Sequence, residues 1–266
     1  MLAICALLLY NNGKISMGVC VLSQVIAFVS GKGGTGKTSL CAAVATILSK
    51  QGHRVLCIDG DVGLRNLDIF LGLSQQNVLS FSDICRGDYP LSAAFVHPGF
   101  PNLSFLTAPA NGSADELSQP SFEELLAQAR SWFDFILLDG PAGLGQGMAA
   151  IATAADRCIL TALPDPASIR CAERTGQELE KLGCKKVHLV VNRVYKDLLK
   201  ALGMNIDDVM DEVGLPLLGI IPTDPNISIA AAKGKPLVQY SHLGAVPAYK
   251  RIAKRLQGQP VPVANR

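Results

Sequence analysis

Gly31-Lys32-Gly33-Gly34-Thr35-Gly36-Lys37-Thr38 lies between the apolar run Val25–Ser30 and the equally apolar stretch Thr38–Gln51, and its reading decides the fold. The octet satisfies G-x-x-x-x-G-K-[ST] at every position, at a point where a strand gives way to a helix. Four glycines within six residues let the backbone curl until its N–H groups converge on one anion. The positive end of the following helix reinforces that cradle. Lys37 is then placed to reach the outer phosphates of a nucleotide, and the Thr38 hydroxyl to meet Mg²⁺. Lys32 is a cation that the pattern does not require. It is either a solvated lysine or a group that reaches a phosphate, including one on a neighbouring subunit.

Outward from this loop the chain alternates. Short runs rich in β-branched residues recur at Val25–Ser30, Val55–Asp59, Leu103–Thr107, Phe135–Asp139, Arg157–Ala162, Lys186–Asn192 and Leu217–Ile221. Helical segments lie between most of them. Thr38–Gln51 is apolar on nearly every face and stops at Gly52. Ser121-x-x-Glu124 reads as a capping box opening a helix to about Arg130. Asp165-Pro166 places a capping carboxylate and a first-turn proline before a helix to about Leu182. A last helix over 245–256 has Tyr249, Ile252, Ala253 and Leu256 on one face. Strands buried on both sides and alternating with helices predict one doubly wound α/β domain, a mostly parallel sheet flanked by helices. Ligands of such sheets bind at the carboxyl ends of the strands.

Three aspartates fall at that edge. Asp139 ends the run Phe135–Leu138, from which a carboxylate can hold a Mg²⁺-bound water. Asp59 ends Val55–Ile58. Asp61 follows on a segment bracketed by Gly60 and Gly63 and could orient an attacking water. A single strand-end aspartate is usually a turn or cap residue; three beside a phosphate loop point to function.

The composition narrows the classes. With 266 residues, 49% apolar and 17% charged, the chain can bury a large core and is not a disordered one. A net charge of +2 gives no whole-protein attraction to nucleic acid or an anionic membrane. The eight cysteines form no C-x-x-C and no zinc spacing, so they read as reduced thiols of a cytoplasmic protein. Met1–Tyr10 (MLAICALLLY) is apolar but lacks a preceding basic residue, unlike a secretory signal. Residues 1–24 are therefore expected to be an extension outside the fold, either upstream sequence before a start near Met17 or a membrane-touching tail. The folded domain is expected to span 25–258, with 259–266 as a short tail.

The motifs together resemble the MinD/ParA family of deviant Walker ATPases. GKGGTGKTS (Gly31–Ser39), DGDVGLRNLD (Asp59–Asp68), FDFILLDGPAG (Phe133–Gly143), LVVNR (Leu189–Arg193) and IPTD (Ile221–Asp224) occur in family order. GLRNLD points to the branch that positions the bacterial division site. The resemblance implies an ATP-dependent dimerising switch that hydrolyses ATP with Mg²⁺. Gly31, Lys32, Gly33, Gly34, Thr35, Gly36, Lys37, Thr38 and Ser39 would cradle the nucleotide, and Asn192 with Pro222–Asp224 would contact adenine. Thr38, Asp59 and Asp139 would serve the metal. Lys32, Lys37 and Asp61 would be catalytic, Lys32 by reaching across the dimer to the partner's nucleotide.

The chain departs from the family in two places. Members that position the division site usually end in an amphipathic anchor helix, whereas Gln257–Arg266 contains two prolines and no periodic apolar face. The resemblance implies a MinC-like inhibitor and a MinE-like or other activator as partners; members typically carry two aspartates where this chain has Cys171 and Glu173, which weakens that implication but leaves nucleotide binding untouched. Lys250, Arg251, Lys254 and Arg255 read as a solvated basic face, with lipid or DNA contact the lesser alternative. ParA-type segregation ATPases and flagellar-number regulators are the nearest alternative functions. ATP-using biosynthetic enzymes on the same fold follow, without the extra glutamine-hydrolysing domain some of them need.

Overall fold

The computed structural model describes the backbone of residues 4–11, 14–21, 23–201 and 203–263, with side chains from Ser23 onward except at 196 and 198. Strands β1 (Ile4–Asn11) and β2 (Lys14–Val21) pair antiparallel in a two-stranded sheet of their own. Whether Met1–Tyr10 touches a membrane depends on side chains outside the described residues.

The main sheet has eight strands: β3 (Gln24–Ser30), β4 (Val55–Asp59), β5 (Phe95–Val96), β6 (Leu103–Leu106), β7 (Phe135–Ala142), β8 (Arg157–Ala162), β9 (Val187–Val194) and β10 (Leu217–Pro222). Their spatial order is β10-β9-β8-β3-β7-β4-β6-β5, and every pairing is parallel except β5 with β6. The predicted doubly wound sheet is therefore present. Its strands read as unbroken apolar runs because both faces are covered. Val25, Ala27 and Val29 of β3 enter one core, and Ile26 and Phe28 enter the other.

One core lies beneath α1 (Lys37–Lys50), α2 (Leu67–Leu71), α9 (Asn226–Ala232), α10 (Leu237–Tyr240) and α11 (Val246–Leu256). The other packs under α3 (Phe81–Cys85), α4 (Pro120–Arg130), α5 (Gln146–Ala154), α6 (Pro166–Lys181), α7 (Lys196–Ala201) and α8 (Ile206–Val213). Tyr249, Ile252, Ala253 and Leu256 of α11 are fully buried, as their spacing predicts.

Two local readings differ. The edge strand β5 spans only two residues and has no periodic signature. Helix α4 begins at Pro120 after Gln119, with no side-chain cap, so Ser121 already lies within the first turn and does not form the predicted capping box. Proline has no N–H to satisfy and its φ suits the first helical position, which moves the cap two residues upstream, from Ser121 to Gln119. Capping boxes occur instead at Ser80/Asp83, Ser113/Glu116 and Asn205/Asp208. The Asp165 cap is as expected: its carboxylate accepts the Ser168 N–H at 2.9 Å.

Candidate nucleotide-binding site

The loop between β3 and α1 opens onto a cavity of about 520 Å³ at the carboxyl edge of the sheet. Gly36 holds φ at 89°, a left-handed conformation that glycine adopts without steric cost. A Cβ there would come within 2.1 Å of Asn192 Nδ2. That amide donates to the Thr35 carbonyl at 2.7 Å, so β9 braces the loop from behind. Ser39 Oγ donates to the Gly36 carbonyl at 2.8 Å. No side chain caps α1, so its first-turn N–H groups have no side-chain acceptor and suit an anion. Gly31 has a different role: a Cβ there would collide with Thr175 and Cys171 of α6.

Lys37 is buried and pairs with Asp139 at 2.7 Å. Burial disfavours its charge, but Asp139, with a further contribution from Asp61, holds its pKa above the ordinary lysine value. The other Asp139 oxygen, Oδ2, is buried with no hydrogen-bond partner, as is Thr35 Oγ1. A buried carboxylate oxygen without a donor is costly, and a cation facing it removes that cost.

Asp59 and Asp139 are register partners on adjacent strands β4 and β7. Asp59 uses both oxygens on backbone, accepting from Asp61 N–H at 2.9 Å and Leu67 N–H at 3.1 Å. Burial, and then the neighbouring Asp139, push its pKa up to about 7. In this geometry Asp59 shapes the 61–67 segment, while Asp139 keeps the free oxygen. Asp61 lines the cavity, and its pKa is raised by burial, partly offset by Lys37. Among the described residues no cluster of three or more His, Cys, Asp or Glu forms a metal cage. One hydroxyl (Thr38) and one free carboxylate oxygen (Asp139) suit Mg²⁺, which keeps several waters and phosphate oxygens as ligands.

The remaining sequence-predicted residues divide. Gly33, Gly34, Thr35, Gly36, Lys37, Thr38, Ser39, Asn192 and Asp224 line the cavity; Gly31, Lys32, Pro222, Asp59 and Asp139 do not. The Asp224 carboxylate accepts from Asn226 N–H at 2.9 Å and Ala245 N–H at 2.8 Å, so it ties the loop after β10 to the start of α11. Lys32 Nζ lies 3.4 Å from Asp165, the cap of α6. Thr223, within the predicted Pro222–Asp224 segment, lines the cavity too; Asn66, Phe70, Arg193 and Pro225 also line it and were not anticipated. Arg193 directly follows Asn192 in LVVNR and holds a left-handed φ of 53°, which no local pattern announces.

The family model of the CobQ/CobB/MinD/ParA nucleotide binding domain matches residues 26–237, which spans the loop, the three aspartates and Asn192. The chain belongs to the CobQ/CobB/MinD/ParA family. Within that family it is 36% identical over 245 residues to the septum site-determining protein MinD of Synechocystis sp., covering 91% of this chain and 92% of that one. The MinC:MinD cell division protein complex of Aquifex aeolicus matches with a TM-score of 0.83 at 31% identity, over 91% of this chain and 99% of that one. MinD from Pyrococcus horikoshii, complexed with Mg-ADP, matches with a TM-score of 0.76 at 28% identity, over 88% and 96% of the two chains. The cavity lies where the phosphate loop, Asp61 and Asn192 meet, within the matched residues.

Proposed function

We propose that the chain is a MinD-like, Mg²⁺-dependent ATPase that acts as an ATP-dependent dimerising switch in division-site placement. The buried Lys37–Asp139 pair beside an uncapped phosphate loop is the observation that carries this reading. Lys37 already has a carboxylate partner and leaves it for the β- and γ-phosphates when nucleotide enters. Thr38 and Asp139 would hold Mg²⁺, with Asp59 keeping the adjoining segment in register. Mg²⁺ bound there neutralises charge on the phosphates. Asp61 orients water toward the γ-phosphate, while Asn192 and the Thr223–Pro225 wall enclose the base.

Lys32 lies outside its own cavity wall and is held at the rim by Asp165. A lysine placed there serves the nucleotide of a second subunit, which makes turnover depend on dimer assembly. An inhibitor of MinC type and an activator of MinE type are the partners of this reading. The first is supported by the likeness to the MinC:MinD complex, despite Cys171 and Glu173. Among the described residues no helix is long and apolar enough to cross a membrane. The likeness to septum site-determining proteins supports a cytoplasmic chain that works peripherally on the inner face of the cell membrane.

The test is Mg²⁺-dependent phosphate release from ATP, measured as a function of protein concentration. Turnover per chain that rises with concentration supports a dimerising ATPase; turnover absent at every concentration overturns it.

A further inference from the structure

On the side of α11 away from the nucleotide cavity, a second cavity of about 350 Å³ opens between α11, the end of α1 and the chain after Leu256. Its apolar lining comes from Ile47, Val238, Val246 and Val261. Four cations, Lys50, Lys250, Arg251 and Lys254, stand around it with no acidic side chain in the lining. Among the described residues Lys250, Arg251 and Lys254 form no ion pair. Arg255 does not join them: it donates to the Leu218 carbonyl, to Val261 O at 2.9 Å and to Pro262 O at 2.5 Å, which pins the tail as one wall. Lys50 sits 5.5 Å over the Phe100 ring and 3.4 Å from the Val238 carbonyl, so the rim is fixed at that end too. Beside the cavity, next to the lining residue His242, Leu243 is 76% exposed, the most exposed large apolar side chain described.

An unpaired ring of cations around an apolar floor asks for a ligand with two chemistries, an anionic head and a hydrocarbon chain. A nucleic-acid backbone would use the cations and leave the floor empty. A neutral apolar ligand would use the floor and leave the cations unanswered. The protruding Leu243 gives the same face a group that enters hydrocarbon.

We propose that the groove between α1 and α11 binds the head group and upper acyl chain of an anionic phospholipid, with Leu243 inserted beside it. This deepens the peripheral-membrane part of the proposed function by giving it a surface within the folded domain, formed by Lys50, Lys250, Arg251 and Lys254.

The experiment uses the full chain and calorimetric titration with dihexanoyl-phosphatidylglycerol below its micelle concentration. Dihexanoyl-phosphatidylcholine, inorganic phosphate and a short DNA duplex are run in parallel, and ATP binding is measured on the same sample. The expected result is saturable binding of the glycerol lipid, at least tenfold tighter than the choline lipid or phosphate. Lys250→Gln with Lys254→Gln should weaken it at least tenfold, and Val261→Asp should do the same through the floor. Neither variant should alter ATP affinity or the melting temperature. Equal binding of both lipids, phosphate binding as tightly as the glycerol lipid, displacement by DNA at similar concentration, or no lipid binding at all would each overturn the proposal. Lipid binding without ATP binding would keep the groove and remove the switch; the reverse would remove only the groove.

Discussion

Lys37 and Asp139, 102 residues apart in sequence, meet at 2.7 Å in the interior of the carboxyl edge of the sheet. The pair gives the phosphate-loop lysine a partner before any nucleotide arrives. It also means that nucleotide entry exchanges one buried ion pair for another and does not have to bring an isolated charge out of water.

Lys37→Ala removes the cation and strands Asp139 as a buried carboxylate without a counter-charge. Nucleotide affinity should fall on the order of 100-fold, the size expected for losing charge-assisted bonds to phosphate. The empty protein should lose about 3 kcal/mol of unfolding free energy by denaturant titration. Removing Asp139 in the same chain should restore part of that stability, because neither charge is then left alone.

Asp61→Ala takes away a half-buried carboxylate that lines the cavity without bonding Lys37. ATP affinity should be kept, while hydrolysis drops roughly 100-fold or more, the range for losing a positioned proton acceptor. Equilibrium binding together with single-turnover phosphate release separates the two effects.

Lys32→Ala breaks only the rim contact with Asp165 within its own chain. ATP binding at low protein concentration should be close to normal. The concentration-dependent part of turnover should fall by about tenfold or more, as loss of a cation on the transferring phosphate would do. A hydrolysis series across protein concentrations checks this.

His97 couples stability to pH. It is buried, with Nε2 2.8 Å from the Leu71 carbonyl and Nδ1 accepting the Gly99 N–H at 3.0 Å, an arrangement that only the neutral ring satisfies. Burial lowers its pKa from 6.5, outweighing the bond to Leu71. The unfolded chain therefore takes up the proton first on acidification. The stability contributed by the neutral ring is full above pH 6.5 and is lost as pH falls through the lower folded value. Melting temperature should decline below pH 6.5 more steeply in the native chain than in His97→Gln.

The parts legible in the sequence were those with local causes. β3, its loop and α1 announce themselves because apolar runs covered on both faces cannot be polar anywhere, and because the glycine spacing has few other uses. Asp139 was legible as the first polar residue after Phe135–Leu138. The rest depended on residues far apart in the chain. Nothing near Asn192 shows that its amide braces Thr35, 157 positions away. Asp59 and Asp61 look alike in DGD, yet one faces backbone N–H groups and the other the cavity. Asp224 was read as a nucleotide contact; it lines the cavity, and nothing local shows that its carboxylate also holds the start of α11. The capping box assigned to Ser121 gave way to the proline beside it.

The most direct test of the switch is sedimentation of the Asp61→Ala chain with Mg²⁺ and either ATP or ADP. A dimer with ATP and a monomer with ADP is the expected outcome. A monomer under both conditions, with ATP bound, would contradict the account.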